Sequence, residues 1–414
     1  MSVINDTNTS RRPGYLETGV LILLAVIIGS VAFRLSAANI LHLNNPELAR
    51  WFVKDDPVAL SRMADQMLAK AEGPASEQAK LFAQQSIASQ PLNPMAVRSL
   101  GFAEGLMGDS VASLDAQKIA HRMTRRDPIT QLWLIESDLS DGHFASAIEH
   151  YDAALRASGA MQSILIDKLC RDIASPTIQR LLAPKFKEGR RWLPELLDHF
   201  ISTRTDLENL AAVLRYSGGL PPGDKYREFE SRLMLELESR RKFLALREVY
   251  AVIPNASQKS LSDINLSSSN LDPRLRPLSW SLIDIGAIST GLDVLEPSKH
   301  LQINARTEQR QSGDVAKKLL FLRTGQYSFK YTIGFSNDSS GAVARWELSC
   351  ANAQGVLPVW QSRLISSTRQ IKFSENIGVS NLCQAYYLKL AVDARSSRLP
   401  VQIFASDLSL QLES

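Results

Sequence analysis

The stretch TGQYSFKYTIGF, residues 324–335, decides the fold of the C-terminal third of the chain. Every second position in it carries a large apolar or aromatic side chain: Tyr327, Phe329, Tyr331, Ile333 and Phe335. Successive side chains of a β-strand point to opposite faces, so this spacing places all five on one face of a strand. The stretch therefore predicts a strand with one face in a protein core.

The same alternation recurs further along the chain. It appears as Ala344, Trp346, Leu348 and Cys350, and again as Tyr386, Leu388, Leu390 and Val392. Further short strands are predicted at 280–285, 300–305, 317–322, 359–365, 370–373, 401–405 and 408–412. No helical spacing separates these strands, which is typical of antiparallel all-β architectures. Residues 273–414 are therefore predicted to form a jelly-roll-like antiparallel β-sandwich.

Two of the three cysteines lie in the predicted strand region. Cys350 ends one strand and Cys383 precedes another, and such a pair in an exported protein predicts a disulfide rather than a metal site. The alternative is two free thiols in a reducing compartment. Cys170 lies in a predicted helix, where we expect a small buried apolar side chain.

Four segments resemble the jelly-roll modules that bind carbohydrate. They are PLSW at 277–280, RTGQYSF at 323–329, RWELSC at 345–350 and CQAYYL at 383–388. The resemblance is one of architecture, and it implies a sugar-binding surface in which an aromatic ring stacks on the sugar. Trp360 and Tyr387 fall out of phase with the core alternation, or beyond it, so they are the candidate ligand-binding residues. Ordinary packing is the alternative for both.

The segment between the helices and the strands has the composition of a linker. NASQKSLSDINLSSSN, residues 255–270, is rich in serine and asparagine and low in apolar residues. We therefore place a linker at 255–272, between a helical domain and the sandwich.

Residues 56–254 show apolar side chains at spacings of three and four, which predicts successive amphipathic helices. Turn glycines Gly73, Gly108 and Gly142 are separated by about one repeat of 34 residues, and GHFASAIEHYDAALRAS (142–158) is the clearest unit. This resembles the tetratricopeptide repeat, although Ser113 and Gln117 stand where that family prefers alanine and a large aromatic. The resemblance implies a solenoid that binds a protein partner, and an irregular all-α bundle is the alternative.

GVLILLAVIIGSVAF, residues 19–33, is uncharged and flanked by Arg11, Arg12 and Arg34. Extended to about 15–38 it predicts a transmembrane helix, with residues 1–14 as a cytoplasmic tail and the body of the chain on the other side. A cleaved secretory signal ending near Ala38 is the alternative, because 36–38 offers a small-x-small cleavage site.

The charge balance and motif content exclude several functions. The 47 basic and 43 acidic residues give a net charge of +4, and the arginine pairs are scattered, which argues against a nucleic-acid-binding surface. The six histidines are dispersed, and the common zinc, phosphate-loop and serine-nucleophile motifs are not found in the sequence. The sequence therefore predicts no catalytic residue, cofactor or metal, and a protein that is not an enzyme.

These features together predict a non-enzymatic, membrane-anchored scaffold. Its helical repeats would bind a protein partner, while the sandwich contacts a polysaccharide or another subunit. The arrangement resembles bacterial envelope proteins, which implies an inner-membrane anchor, a periplasmic body and a setting in cell-surface polysaccharide synthesis or export. The alternatives are a carbohydrate-binding module on a helical spacer and an enzyme acting on polysaccharide.

Overall fold

The computed structural model describes residues 15–70, 74–157, 159, 161–203, 206–295, 300–336, 341–352 and 358–413. The predicted cytoplasmic tail, 1–14, and the turn at Gly73 lie outside these ranges. The chain divides into two compact units, Met1–Leu165 and Ile166–Ser414. A multidomain α+β fold with an apolar N-terminal helix, a helical region and a β-sandwich is confirmed. The domain bounds 56–254, 255–272 and 273–414 stay predictions. They mark where the predicted secondary structure changes, whereas the two compact units are divided at a different place.

Helix α1 spans Tyr15–Leu41. Its segment Thr18–Leu41 has a mean hydropathy of 2.4 and most of its residues are exposed, with Ala38 buried, so it has the length and composition of a membrane-crossing helix. A signal sequence near an N-terminus has the same properties. Arg34 in this helix donates from Nε to the carbonyl oxygen of Phe52 at 3.0 Å.

Among the described residues of the first unit, seven further helices follow α1 up to Ala157, and six of them form successive pairs. They are α2 (Pro46–Phe52), α3 (Pro57–Ala69), α4 (Pro74–Ser89), α5 (Pro94–Leu106), α6 (Ser110–Met123), α7 (Pro128–Ser140) and α8 (Phe144–Ala157). The pairs are α3 with α4, α5 with α6, and α7 with α8.

The first helix of each pair begins in the same way. A proline occupies the first turn, and the preceding Asp56, Asn93 or Asp127 accepts a hydrogen bond from a backbone N–H three residues on. Proline fits this position because its missing N–H would have no partner within the helix, and the Asx side chain satisfies another of the free N–H groups. These caps fix the helix starts.

Two glycines fix the turns and the close packing of these pairs. Gly108 and Gly142 have φ of 92° and 77°, a left-handed conformation that side-chain-bearing residues seldom adopt. Gly101 lies where α5 meets α6, and a Cβ added there would stand 2.9 Å from the Cβ of Ala116. The α5–α6 contact therefore depends on the absence of a side chain at 101.

The second unit begins with a helical part, and α9 contains the division between the units. The helices are α9 (Gln162–Asp172), α10 (Pro176–Lys187), α11 (Leu193–Ser202), α12 (Leu207–Ser217), α13 (Asp224–Ser239), α14 (Phe243–Val252) and the short α15 (Ser268–Leu271). Their interior is apolar, with Phe186, Trp192 and Phe200 fully buried.

In the part of the chain that the structure describes, ten strands form two antiparallel five-stranded sheets. The strands are β1 (Ser281–Leu282), β2 (Ile288–Leu295), β3 (His300–Thr307), β4 (Ser312–Leu320), β5 (Gly325–Phe335), β6 (Val343–Cys350), β7 (Trp360–Gln361), β8 (Ile371–Val379), β9 (Tyr386–Asp393) and β10 (Val401–Leu412). One sheet has the order β1-β4-β9-β6-β7 and the other β2-β3-β10-β5-β8. Side chains from both sheets form one core, which includes Trp280, Phe329 and Trp346.

Strand β10 covers two segments, 401–405 and 408–412, that the sequence pattern predicts as separate strands. Ile403 and Ala405 point into the core, and so does Leu408, three positions later. Alternation alone does not allow this change of parity. A β-bulge between Ser406 and Ser409, with Asp407 at φ 53°, supplies the extra residue that returns the following side chains to the core.

The segment predicted as a linker is packed against the sandwich. Ile264 is fully buried in the sandwich core, and its carbonyl oxygen accepts a hydrogen bond from the indole N–H of Trp280 at 3.0 Å. Asn270 is also fully buried and accepts from Lys318 Nζ at 2.6 Å. The residues 258–280, which we call the strap, therefore pack against the sandwich.

Candidate functional site

The candidate site lies where the free edges of the two sheets meet. Strands β7 and β8 are edge strands, one in each sheet. Arg363, two residues after β7, donates from Nε to Oε1 of Glu375 on β8 at 3.2 Å. The guanidinium carbon of Arg363 also lies 5.4 Å from the centre of the Phe373 ring. The side chains of Arg363 and Glu375 therefore bridge the two edges.

A row of aromatic rings runs beneath this bridge. The ring centres of Trp360 and Phe329 are 5.7 Å apart, those of Phe329 and Tyr331 are 4.7 Å apart, and those of Tyr331 and Phe373 are 5.3 Å apart. Phe329 and Tyr331 are buried, whereas Trp360 and Phe373 are half-buried. The row thus crosses the core and reaches the surface at both ends. We call Trp360, Arg363, Phe373 and Glu375 the edge site.

Strand pairing fixes the side chains on β8. Tyr331 of β5 stands opposite Phe373, and Phe329 stands opposite Glu375. Directly opposed residues of an antiparallel pair lie on the same face, so Phe373 and Glu375 point toward the core side. Ile377 continues this row and is buried. Glu375 is therefore a carboxylate in an otherwise apolar row, held where the sandwich opens.

The charges of the edge site balance one another. Tyr331 Oη donates to Glu375 Oε1 at 2.8 Å, and the Glu375 side chain is 13% exposed while that of Arg363 is 64% exposed. Burial, together with the neighbouring Glu375, raises the pKa of the Tyr331 phenol, so this group stays neutral and acts as a donor. The carboxylate is satisfied from below, and the guanidinium faces solvent above it.

Such an arrangement suits a ligand that is apolar on one side and polar on the other. A half-buried ring offers an apolar face, while a guanidinium and a carboxylate held in place offer oriented donors and acceptors. Small-molecule sites commonly combine aromatic walls with a few placed polar groups. A sugar ring presents C–H groups and hydroxyls in this way.

Trp360 is the predicted ligand-binding residue that the structure places in the edge site. Its indole contacts Phe329 edge-on and packs against the sandwich core, so part of the ring surface is used for packing. Its role in ligand binding stays a prediction.

Tyr387, the other predicted ligand-binding residue, lies on the outer face of β9, away from the edge site. Its Oη donates to Glu238 Oε1 of α13 at 2.7 Å, and Phe243 of α14 lies edge-on at 6.5 Å. The ammonium of Lys317 lies 5.2 Å from the ring centre. Burial and Glu238 raise the pKa of this phenol. A stacking role for Tyr387 stays a prediction that these contacts do not favour, because one ring face is covered by Lys317.

The predicted disulfide is present in the structure. Cys350, at the end of β6, is bonded to Cys383, before β9, with the Cα atoms 5.5 Å apart. Cys170 is a buried free cysteine, and burial raises the pKa of its thiol to about 12. It is therefore an unreactive thiol that packs as an apolar side chain.

Arg363, Phe373 and Glu375 are edge-site residues that sequence reasoning missed. One signal was available. The spacing of Phe373, Glu375, Ile377 and Val379 continues the alternation of a strand predicted to stop at 373, and it places a carboxylate in the apolar row. A charge in a core-facing row marks a place where the core opens. Arg363 carries no such signal, since it follows a strand of only two residues.

Comparison with known proteins does not assign this chain to a family. No family model and no curated protein matches the chain. Among the described residues, no group of three or more His, Cys, Asp or Glu side chains is arranged to hold a metal ion.

Several solved structures are similar to the sandwich region. The structure described as "CBM4 structure and function" has 7% identity and a TM-score of 0.24, covering 32% of this chain and 86% of the other. TmCBM61 in complex with β-1,4-galactotriose has 15% identity and a TM-score of 0.24, covering 32% and 88%. A putative sugar binding protein from Bacteroides thetaiotaomicron has 7% identity and a TM-score of 0.25, covering 33% and 88%. Likeness at these values identifies no ligand for this chain.

Proposed function

We propose that this chain is a membrane-anchored, non-enzymatic envelope protein whose sandwich binds glycan at the edge site and whose helix pairs bind a protein partner. The observation that carries the glycan-binding part is the row of rings that ends at half-buried Trp360 and Phe373 beside the Arg363–Glu375 pair.

The edge site is organised before a ligand arrives. Glu375 holds Arg363 by a hydrogen bond, and Arg363 is held against Phe373, so little side-chain freedom is lost on binding. The Arg363 guanidinium remains largely exposed and has donors free for hydroxyl oxygens. A sugar that lies against Trp360 would meet these donors along its rim.

Glycan binding is tested with the full chain in detergent on an oligosaccharide array, followed by calorimetry on any hit. We expect Trp360→Ala and Arg363→Ala each to weaken binding at least about tenfold, the loss of one aromatic contact or one charge-assisted hydrogen bond. Arg345→Ala is the control, because Arg345 pairs with Glu347 at 2.6 Å on the same sandwich and its side chain is 41% exposed. Equal weakening by the control, or an array without hits, would contradict glycan binding at this site.

The helix pairs of the first unit support the partner-binding part. The paired helices, the proline starts at 94 and 128 and the glycine turns at 108 and 142 agree with a tetratricopeptide-like repeat. The first helices of the pairs line a groove of about 410 Å³. Its lining residues are Arg62, Asp65, Gln66, Leu68, Ala69, Arg98, Phe102 and Ile129. A mixture of apolar and charged side chains in a concave surface suits a peptide segment.

Partner binding is tested by photo-crosslinking in cells. A photoreactive amino acid replaces Phe102 in the groove or, as the control, Leu81 on α4, which is 56% exposed. We expect a discrete crosslinked band at 102 and none at 81. Absence of any crosslink at 102, with glycan binding intact, would favour the alternative of a carbohydrate-binding module on a helical spacer.

The anchoring part rests on α1. We propose that it remains attached and crosses a bacterial inner membrane, with the rest of the chain in the periplasm. Intact-mass measurement of the mature protein, together with protease access in spheroplasts, tests this. A mature N-terminus at Asn39 would contradict anchoring and would make the protein a secreted or periplasmic one.

The weakest alternative is an enzyme acting on polysaccharide. Incubating the full chain with any glycan that it binds, and analysing the products by mass spectrometry, decides this point. Release of shorter oligosaccharides would contradict the non-enzymatic proposal.

A further inference from the structure

A second concave site lies in the helical part of the second unit, away from the edge site. The turn before α13, the first turns of α13, the turn after α14 and the strap enclose a cavity of about 300 Å³. Its apolar wall consists of Leu220, Pro221, Pro222, Ile253, Pro254 and Leu275. Three of these are prolines, whose rings have little freedom to lose when a ligand binds. We call this the Glu230 cavity.

Four charged side chains line the Glu230 cavity, and the two arginines already have partners. Arg274 contacts Asp272 through two nitrogens, with Nε to Oδ1 at 3.0 Å and Nη2 to Oδ2 at 2.6 Å. Arg227 donates from Nη1 to Oδ1 of Asp224, on the same helix, at 3.2 Å. Each arginine is thus neutralised by a carboxylate of its own.

Glu230 is the charged group that remains. It is 7% exposed, it lines the cavity, and within the residues that the structure describes it makes neither a hydrogen bond nor an ion pair. Burial raises its pKa to about 7, while Arg227 lowers it. A buried carboxyl without a partner is costly to the folded protein, since the ionised form loses its hydration without compensation.

The Glu230 carboxylate determines which class of ligand the cavity favours. The charged groups around the cavity are Arg227, Arg274, Asp224, Asp272 and Glu230, so the net charge is negative when Glu230 is ionised. An anion would meet this carboxylate in a low-dielectric cavity, whereas a cation would gain a charge-assisted hydrogen bond. The apolar walls require that the cation be carried on an aliphatic stem.

We propose that the Glu230 cavity binds a primary ammonium group on an aliphatic chain, with Glu230 as its counter-ion. Two sources share this chemistry, a free aliphatic amine and the lysine side chain of a peptide. The volume suits one such chain. This proposal is independent of glycan binding at the edge site.

The test uses the full chain in detergent and isothermal titration calorimetry at pH 8. The free amine is 1,5-diaminopentane, and the peptide-borne amine is Nα-acetyl-lysine N-methylamide, whose side-chain ammonium is free. We expect binding of at least one amine, and at least about tenfold weaker binding of 1,5-pentanediol and of pentanoate, which lack the positive charge. Because the pKa of Glu230 is about 7, lowering the pH from 8 to 6 should weaken amine binding about tenfold.

The decisive variant is Glu230→Gln, which keeps the side-chain shape and removes the charge. We expect it to weaken amine binding at least about tenfold, while Glu228→Gln, an exposed residue of the same helix, leaves binding unchanged. Should Glu230→Gln fail to fold, the pKa of Glu230 in the wild-type chain, followed by NMR, must fall when diaminopentane is added. Equal binding of amine and diol, no binding of either amine, or an unchanged pKa would overturn the proposal.

Discussion

The helix pairs of the first unit and the sandwich of the second are stabilised in different ways. Arg98, on α5, is 3% exposed and lies between Asp127, whose Oδ1 is 2.6 Å from Nη1, and Asp65 of α3, which its Nη2 contacts. The interior of the sandwich is filled instead by aromatic rings, with Trp346 in contact with Trp280 and Phe329. Hydrogen bonds and ion pairs are directional, so they favour one relative arrangement of the helices. The burial of apolar side chains stabilises the fold but has no preferred direction.

The polar interior of the first unit extends beyond Arg98. Asn93 is buried and donates to Ser61 Oγ at 3.3 Å and to Ser86 Oγ at 3.0 Å, which links α3, α4 and the start of α5. Gln131 of α7 connects His121 and His150 at 2.9 Å and 2.7 Å. Each contact crosses from one helix to another. These short helices, several of them rich in alanine, therefore use polar side chains to set their relative positions.

The largest effect is expected from a cavity in the sandwich. Trp346→Ala should lower the free energy of unfolding by about 3 to 5 kcal/mol, because a fully buried indole leaves an empty space between two sheets that cannot close. Trp51→Ala is the control, since Trp51 is 76% exposed. Denaturant unfolding followed by far-UV circular dichroism measures both. A loss below about 1 kcal/mol for Trp346→Ala would contradict an interior stabilised by aromatic burial.

The disulfide should have the next largest effect. Replacing Cys350 and Cys383 together by serine should lower the free energy of unfolding by about 3 to 4 kcal/mol in the chain-entropy model for a separation of 33 residues. Cys170→Ser, which alters a free cysteine, serves as the control for the substitution itself. Unfolding curves of oxidised and reduced protein should show the same difference. Identical curves would mean that the bond does not constrain the unfolded chain.

In the first unit, Arg98→Met should lower the stability by about 3 kcal/mol, because Asp65 and Asp127 lose their shared partner. The effect is at the low end for a buried ion pair, since both carboxylates are partly exposed. Arg122→Met, which changes an exposed arginine of α6 in the same unit, is the control and should change stability by less than about 0.5 kcal/mol. Hydrogen exchange in α3 and α5 measures the change. Unchanged exchange after Arg98→Met would contradict a stabilising role of these buried ion pairs.

The smallest effect concerns the one fully buried lysine among the described residues of the sandwich. Burial lowers the pKa of Lys318 from 10.5 to about 7, so between pH 7 and 10.5 the unfolded chain binds a proton that the folded chain does not. Stability should therefore rise with pH across this range and fall as the pH returns to 7. Lys318→Met should remove the pH dependence and raise stability near pH 7.5 by about 2 kcal/mol. This figure already subtracts the loss of the hydrogen bond to Asn270.

Lys372→Met, an exposed position on β8, is the control for Lys318→Met. Thermal unfolding at several pH values measures both variants. A pH slope that survives Lys318→Met would show that another group causes it.

Much of the fold follows from local patterns. The successive amphipathic helices predicted within 56–254 are present as α3 through α14, because apolar spacing acts locally. β2 was missed because, as an edge strand with most side chains exposed, it shows no alternation. β10 was divided in two because its bulge shifts the parity at Asp407. Local patterns fail where a strand has no buried face or where its register changes.

The candidate site was harder to predict. Trp360 was predicted because an aromatic residue out of phase with a core row is visible in the sequence, and its role in binding stays a prediction. The pairing of Arg363 with Glu375 depends on how close the edges of two sheets come, which no local pattern records. The packing of the strap was also missed, because a serine-rich composition does not reveal that Ile264 and Asn270 are buried.

The strap limits how this chain can be cut. A fragment that begins at Asp272, where the composition suggests a natural start, would lack Ile264 and Asn270, and so would expose the indole of Trp280 and leave Lys318 Nζ without its acceptor. Any recombinant sandwich, and any genetic exchange of this domain between proteins, must therefore carry residues from about 258 onward.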